Sequence, residues 1–367
     1  MNNIIFNLLL NKNKLPFFII IFLMFLNLVF ELLGLSLFYP LIKILIDKES
    51  FSNQFQEYFF YDYISNLDYK NFLFFILISI FLVFLIKNIF LIYSLYVQNK
   101  FFEKFQLNIT NSLFGNYLNK ELIFFNNENS SNILRNLRGE TASVLVFFQS
   151  LIYILTEIII IVGILIFLFV SNIETTTSLI IILTPVVFLY LFFTKKKLTT
   201  LGKDRILLDG LINKNFLESI TAIKEIKIYG KEKTFSDYVD NNLKKFFKIN
   251  ILWTLLNNIP RYFLEIFIIL TLLIIIFLLE TDIFYNDTDT IAVIGVLVVA
   301  SARILPSISK ILTNFQNLKF RLPSVHLLSD EIKKFNENSN FNVIEDDKIN
   351  NNFFKNKNFE IYLKNIS

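Results

Sequence analysis

The chain has 367 residues, 54% of them hydrophobic, at a mean hydropathy of +0.55, whereas a soluble chain of this length must also clothe a water-facing surface. With no cysteine, disulfides, thiolate metal sites and cysteine nucleophiles are excluded. The net charge of +4 is modest and is accounted for by anionic lipid headgroups at one membrane face, so no nucleic-acid partner is expected.

Met1–Asn13 reads as a short amphipathic helix along the inner interface, and the run after it is too long for a signal peptide and lacks a small-residue cleavage site. Six apolar runs then predict membrane helices at 15–46, 72–96, 143–170, 177–193, 259–279 and 290–305. Most reach the ~17–25 residues needed to cross ~30 Å of hydrocarbon. Phe51–Leu67, in the first outer loop, fits either a helix on the outer membrane surface or a loop with aromatic anchors. The outer segments carry ten acids and two lysines, namely Asp47, Lys48, Glu49, Glu57, Asp62, Asp68, Lys70, Glu174, Glu280, Asp282, Asp287 and Asp289. By contrast Thr194–Asn258 is dense in lysine. The positive-inside bias therefore places the long excursions and both termini in the cytoplasm, with the chain in the inner (plasma) membrane.

The two excursions, Val97–Ala142 and Thr194–Asn258, carry apolar residues at helical spacing, so the helices are expected to run on beyond the bilayer. At the tip of the second, Ile220, Ile223, Ile226 and Tyr229 recur every third residue, and Gly230 follows as a helix C-cap. Ser130–Gly139 holds the same place in the first. Two such tips are expected to dock a cytoplasmic partner. After Leu305 the helical pattern continues through Ile308, Ile311, Leu312 and Phe315, and residues 331–358 form an Asn-rich linker. Residues 359–367 alternate like a strand, which alone has neither a ladder partner nor a core.

Several stretches together carry a resemblance to a known family: Phe30-Glu-Leu-Leu-Gly-Leu-Ser-Leu-Phe-Tyr-Pro-Leu41, Ser131-Asn-Ile-Leu-Arg-Asn-Leu-Arg-Gly-Glu140, Ile223-Lys-Glu-Ile-Lys-Ile-Tyr-Gly-Lys-Glu232, Ile259-Pro-Arg-Tyr-Phe-Leu-Glu265 and Arg303-Ile-Leu-Pro-Ser307. The chain resembles the transmembrane half of an ABC exporter, most closely the branch that flips lipid-linked oligosaccharides. That resemblance implies an all-α, six-transmembrane-helix type-1 domain over 14–330. It also implies a closing segment, 359–367, that opens a truncated nucleotide-binding domain. The expected coupling contacts are Asn132, Ile133 and Leu134 at one tip and Ile223, Ile226 and Tyr229 at the other. The implied partners are a second copy or a paralogous half-transporter, a nucleotide-binding domain and a lipid-linked anionic substrate.

The departure from the family concerns nucleotide chemistry. No G-x-x-x-x-G-K-[ST] occurs: the Gly-Lys pairs at Gly202 and Gly230 have Lys197 and Glu225 where the first glycine should stand. No cofactor is therefore expected on this chain, which is no enzyme by itself, and ATP and Mg2+ are assigned to the nucleotide-binding domain.

Charges inside the apolar runs are informative, since each costs about 2.5–3.5 kcal/mol at mid-membrane on insertion scales. They are Glu31, Lys87, Glu157, Arg261, Glu265 and Arg303. The residues alone leave two readings open: salt bridges, with Arg261 and Glu265 paired at i,i+4, or a basic lining for an anion, with the acids holding the cations when the cavity is empty. The flippase resemblance implies the second, with Lys87, Arg261 and Arg303 receiving a lipid pyrophosphate. His326 has no companion at metal spacing, Pro40, Pro185 and Pro260 kink or start helices, and Trp253 reads as an interfacial anchor. The expected function is the membrane half of an ATP-driven exporter of a polyprenyl-pyrophosphate-linked oligosaccharide. The alternatives are export of a peptide, drug or other lipid, and a non-transporting remnant.

Overall fold

The computed structural model of the protein describes residues 14–38, 41, 69–171, 173–280 and 288–338. The expected interfacial helix at 1–13, the loop helix at 51–67 and the strand at 359–367 lie outside the described residues, as does Pro40. Among the described residues nine α-helices and one π turn follow in order: α1 (Lys14–Ser36), α2 (Tyr69–Leu118), α3 (Leu122–Asn127), α4 (Ser130–Arg135), the π turn Asn136–Glu140, α5 (Thr141–Ser171), α6 (Ile173–Thr221), α7 (Ile223–Tyr229), α8 (Glu232–Glu280) and α9 (Thr288–Asn338). Among the described residues there is no strand.

Length explains the architecture. At 1.5 Å per residue the 50 residues of α2 span about 75 Å, more than twice the hydrocarbon thickness. The helices α6, α8 and α9, with 49, 49 and 51 residues, do the same. Each therefore leaves the membrane as a stalk. Three segments among the described residues are long and apolar enough to cross a membrane, Pro16–Ser36, Leu73–Leu118 and Ser130–Val170. The expected runs at 177–193, 259–279 and 290–305 lie within α6, α8 and α9.

Three details differ from the sequence reading. The interval between the runs expected at 143–170 and 177–193 is largely helical, since α5 extends to Ser171 and α6 begins at Ile173. Pro323 sits inside α9, which runs to Asn338, past the point where the linker was expected to start. A proline removes one backbone donor, and α9 absorbs this as α6 and α8 absorb Pro185 and Pro260. Trp253, expected as an interfacial anchor, also packs within the bundle, for its ring stacks on Phe320 with centroids 5.3 Å apart and an interplanar angle of 25°.

The bundle is organised around α5 and α9, its most extensive contact; α1 packs on α2 and α5, and α8 on α6 and α9. In the stalk, Phe102, Phe105, Val144, Phe148 and Leu328 form the main core, with the Phe105 and Phe148 rings edge to face at 5.3 Å. A smaller cluster joins Leu201, Ile249 and Phe320 across α6, α8 and α9. There α6 approaches α9 through Gly202, where an added Cβ would collide with the Phe320 carbonyl oxygen. Gly202→Ala is therefore expected to lower the melting temperature of the purified protein, since a backbone atom cannot turn aside, at a cost of about 1–3 kcal/mol. Gly139→Ala, whose nearest neighbour would be 3.4 Å away, should melt with the parent. Equal melting of both variants would show that α6 and α9 do not pack this closely.

Candidate functional site

One buried ion pair, a second whose acid is buried and whose base is exposed, and a polar seam run through the apolar part of the bundle. On α1 and α2, Lys87 Nζ lies 2.8 Å from Glu31 Oε2, with both side chains buried. The ammonium also sits 4.7 Å from the centroid of the Phe84 ring, a cation–π contact. Toward the stalk, Asn27 Nδ2 and Gln98 Nε2 each donate to Ser94 Oγ at 3.3 Å. On α5 and α9, Lys310 Nζ lies 2.8 Å from Glu157 Oε1. Asn27, Ser94, Gln98, Glu157 and Lys310 line one cavity of about 510 Å3.

The residues expected to form the site are thus divided. Glu31 and Lys87 are brought together. Glu157 meets Lys310, which sequence reasoning missed because it follows the end of the apolar run at Leu305. Arg261 and Glu265 are exposed on α8 and have no ion-pair partner among the described residues, so the expected i,i+4 pairing does not form. Arg303 lies on α9, with its side chain outside the described residues. Among the described residues α8 packs chiefly on α6 and α9, and Arg261 has no ion pair or hydrogen bond that would tie it to the Lys87–Glu31 pair.

A second fully buried pair closes the stalk. The π turn carries Glu140, fully buried, against α6 and α9, where Arg205 Nη2 meets Glu140 Oε2 at 3.0 Å and Ser324 Oγ at 2.9 Å. Arg321 donates to Ser143 Oγ at 2.9 Å. Burial, helped by the neighbouring Arg205, lowers the Arg321 pKa to about 10, with Glu140 opposing, so the group stays charged at neutral pH. Asp209 is pushed up from 3.8 by burial, against the pull of Arg205 and with the added repulsion of Glu140. Nothing in the sequence singles out Arg205, one basic residue among many in a polar excursion.

The excursion tips are built differently from each other. Asn129 caps α4, its side chain accepting from the Ser131 backbone N–H at 3.1 Å. Asn132 and Ile133 are half-buried and Leu134 is exposed. At the other tip Gly230 is left-handed, with φ 61°, and the Lys231 N–H bonds the Ile226 carbonyl at 3.1 Å, closing α7 as a Schellman motif. Ile226 is buried toward the α6–α8 hairpin, whereas Ile223 and Tyr229 are 49% and 74% exposed. The three residues expected to act together are therefore an anchor and two outward-facing groups.

Apolar helices prolonged into a polar stalk, with charges buried between them, define a polytopic membrane domain. Its family follows from sequence comparison: the chain belongs to the ABC transporter transmembrane region, whose family model matches residues 17–285. That region is a transport module and not itself catalytic, and such a half-transporter domain works with a second half and a nucleotide-binding domain.

Two predictions concern the stalk. Arg205→Ala strands a fully buried carboxylate and is expected to cost about 3–5 kcal/mol, whereas the double change Glu140→Leu with Arg205→Met removes both charges and should recover most of that loss in a melting measurement. For Asp209 the folded pKa lies above the unfolded one, so its stabilising contribution is complete below 3.8 and is lost as pH rises through the folded value. Asp209→Asn should accordingly melt higher than the parent at neutral pH, and the difference should shrink on acidification.

Proposed function

We propose that this chain is the membrane half of an ATP-driven exporter which, as a dimer, moves an amphiphilic anion of the polyprenyl-pyrophosphate-linked oligosaccharide class away from the leaflet facing its long excursions. The reading rests on the unequal state of its intramembrane cations. Lys87 is buried and held by Glu31, while Arg261 is exposed on α8 with no ion-pair partner among the described residues. An arginine in such a place needs an anion brought to it, and a pyrophosphate needs several converging cations in place of its lost hydration. On this reading the complete lining, with Lys87 and Arg261 together, is formed when a second copy presents its own α8 or when the helices rearrange during transport. Arg303, on α9, completes the set that the flippase resemblance implies.

The basic excursions favour a cytoplasmic position for the stalk and both termini in an inner membrane. Ile223, Tyr229 and Leu134 are the exposed apolar groups that would meet the nucleotide-binding domain, where ATP and Mg2+ act. Ile226 fastens the second tip to its hairpin, so that a push on α7 moves α6 and α8.

In a reconstituted flipping assay with a nucleotide-binding partner, Lys87→Ala, Arg261→Ala and Arg303→Ala are each expected to abolish translocation while dimer assembly persists. Lys87→Arg should be mild, because the charge survives although the geometry changes. Normal translocation by the Ala variants would reduce these residues to structural ion pairing and remove the anion assignment.

A further inference from the structure

The cavity between α1, α2, α5 and α9 carries polar groups that the fold does not satisfy. Asn27, Gln98 and Glu157 are each more than nine-tenths buried, at 4%, 3% and 6% exposure. Each commits one arm, the two amides to Ser94 and the carboxylate to Lys310. The other arms, Asn27 Oδ1, Gln98 Oε1 and Glu157 Oε2, have no hydrogen-bond partner among the described residues. Buried polar side chains are ordinarily paired, and three open ones around a single cavity mark a missing partner. The cavity, at about 510 Å3, falls in the range of about 300–1,000 Å3 typical of small-molecule sites.

Charge and hydrogen-bond polarity select the partner. Glu157 is already neutralised by Lys310, so the site has no net charge to attract a free cation. A fully ionised phosphate only accepts hydrogen bonds and would face three open acceptors. Hydrocarbon satisfies none of them. A hydroxyl donates and accepts at once: it can donate to the open oxygens and accept from Lys310 Nζ, whose side chain is 54% exposed at the rim. Tyr153, Ile160 and Leu91 supply apolar walls for the C–H faces of a ring. We infer that this cavity binds an uncharged polyhydroxylated group, a sugar ring, separately from the residues that meet the phosphates.

The inference rests on the exporter reading for the source of that sugar. Asn27 is four residues from Glu31 and Ser94 seven from Lys87, so the cavity begins about 6–10 Å along the helices from the ion pair, on the stalk side. That offset suits a sugar carried directly on a lipid pyrophosphate.

The test uses the full chain in nanodiscs and three probes: undecaprenyl-pyrophosphoryl-N-acetylglucosamine, undecaprenyl pyrophosphate and free N-acetylglucosamine. The parent is expected to bind the sugar-bearing lipid about tenfold more tightly than the bare one. The near-isosteric Asn27→Leu and Gln98→Met should erase that difference and leave affinity for the bare lipid unchanged; Ser94→Ala, which removes the shared hydroxyl, substitutes for either if it fails to fold. Binding of free N-acetylglucosamine, lost in the same variants while neither lipid binds, would uphold the sugar site and overturn the pyrophosphate reading. Equal binding of both lipids, unaffected by the variants, would overturn the sugar site, leave the cavity to water and preserve the anion reading. No binding of any probe would overturn both.

Discussion

Inside hydrocarbon a helix gains little by exchanging lipid for another apolar helix, so the helices of this chain are matched through groups that lipid cannot satisfy. Glu31 on α1 answers Lys87 on α2, and Glu157 on α5 answers Lys310 on α9. In the stalk Glu140 answers Arg205 while Arg205 also holds Ser324, which ties the π turn, α6 and α9 into one knot. A buried pair is weak evidence for stability in itself, because desolvation offsets much of the attraction. Its value here is selective: a wrong helix partner leaves a charge alone, and that penalty far exceeds what a wrong apolar contact would cost.

Packing in the stalk obeys the other regime. Outside the membrane water drives apolar burial, and the Phe102, Phe105, Phe148 and Leu328 core forms on the same helices that the polar pairs align within the bilayer. Gly202 lets α6 reach the α9 backbone, and the Trp253–Phe320 stack fills the space beside it. A helix that is continuous through both regimes joins the stalk directly to the membrane part. One side of α2 remains apolar and exposed, as Phe74, Phe81, Ile89 and Ile92 illustrate.

The candidate site was legible in part, and the division has a physical basis. Glu31 and Lys87 stand out as charges in apolar runs, and their exclusion from lipid forces them onto an inward face. Lys310 was hidden because the run expected to hold it ends at Leu305, although the helix does not. The polar seam of Asn27, Ser94 and Gln98 was hidden because uncharged residues barely lower a hydropathy average. Arg261 and Glu265, placed at ideal spacing for a pair, remain apart: spacing permits an i,i+4 contact but long side chains lose rotamer freedom in making it.

The sequence by itself determined the membrane class, the presence of long apolar helices prolonged into polar segments and the stop at Gly230, because run length, charge and backbone conformation are local properties. Tertiary structure alone decided which acid meets which base, which face of α7 turns inward, and that three open oxygens converge on one cavity. Those outcomes depend on how helices distant in sequence come to lie side by side, and no pattern along one helix carries that information.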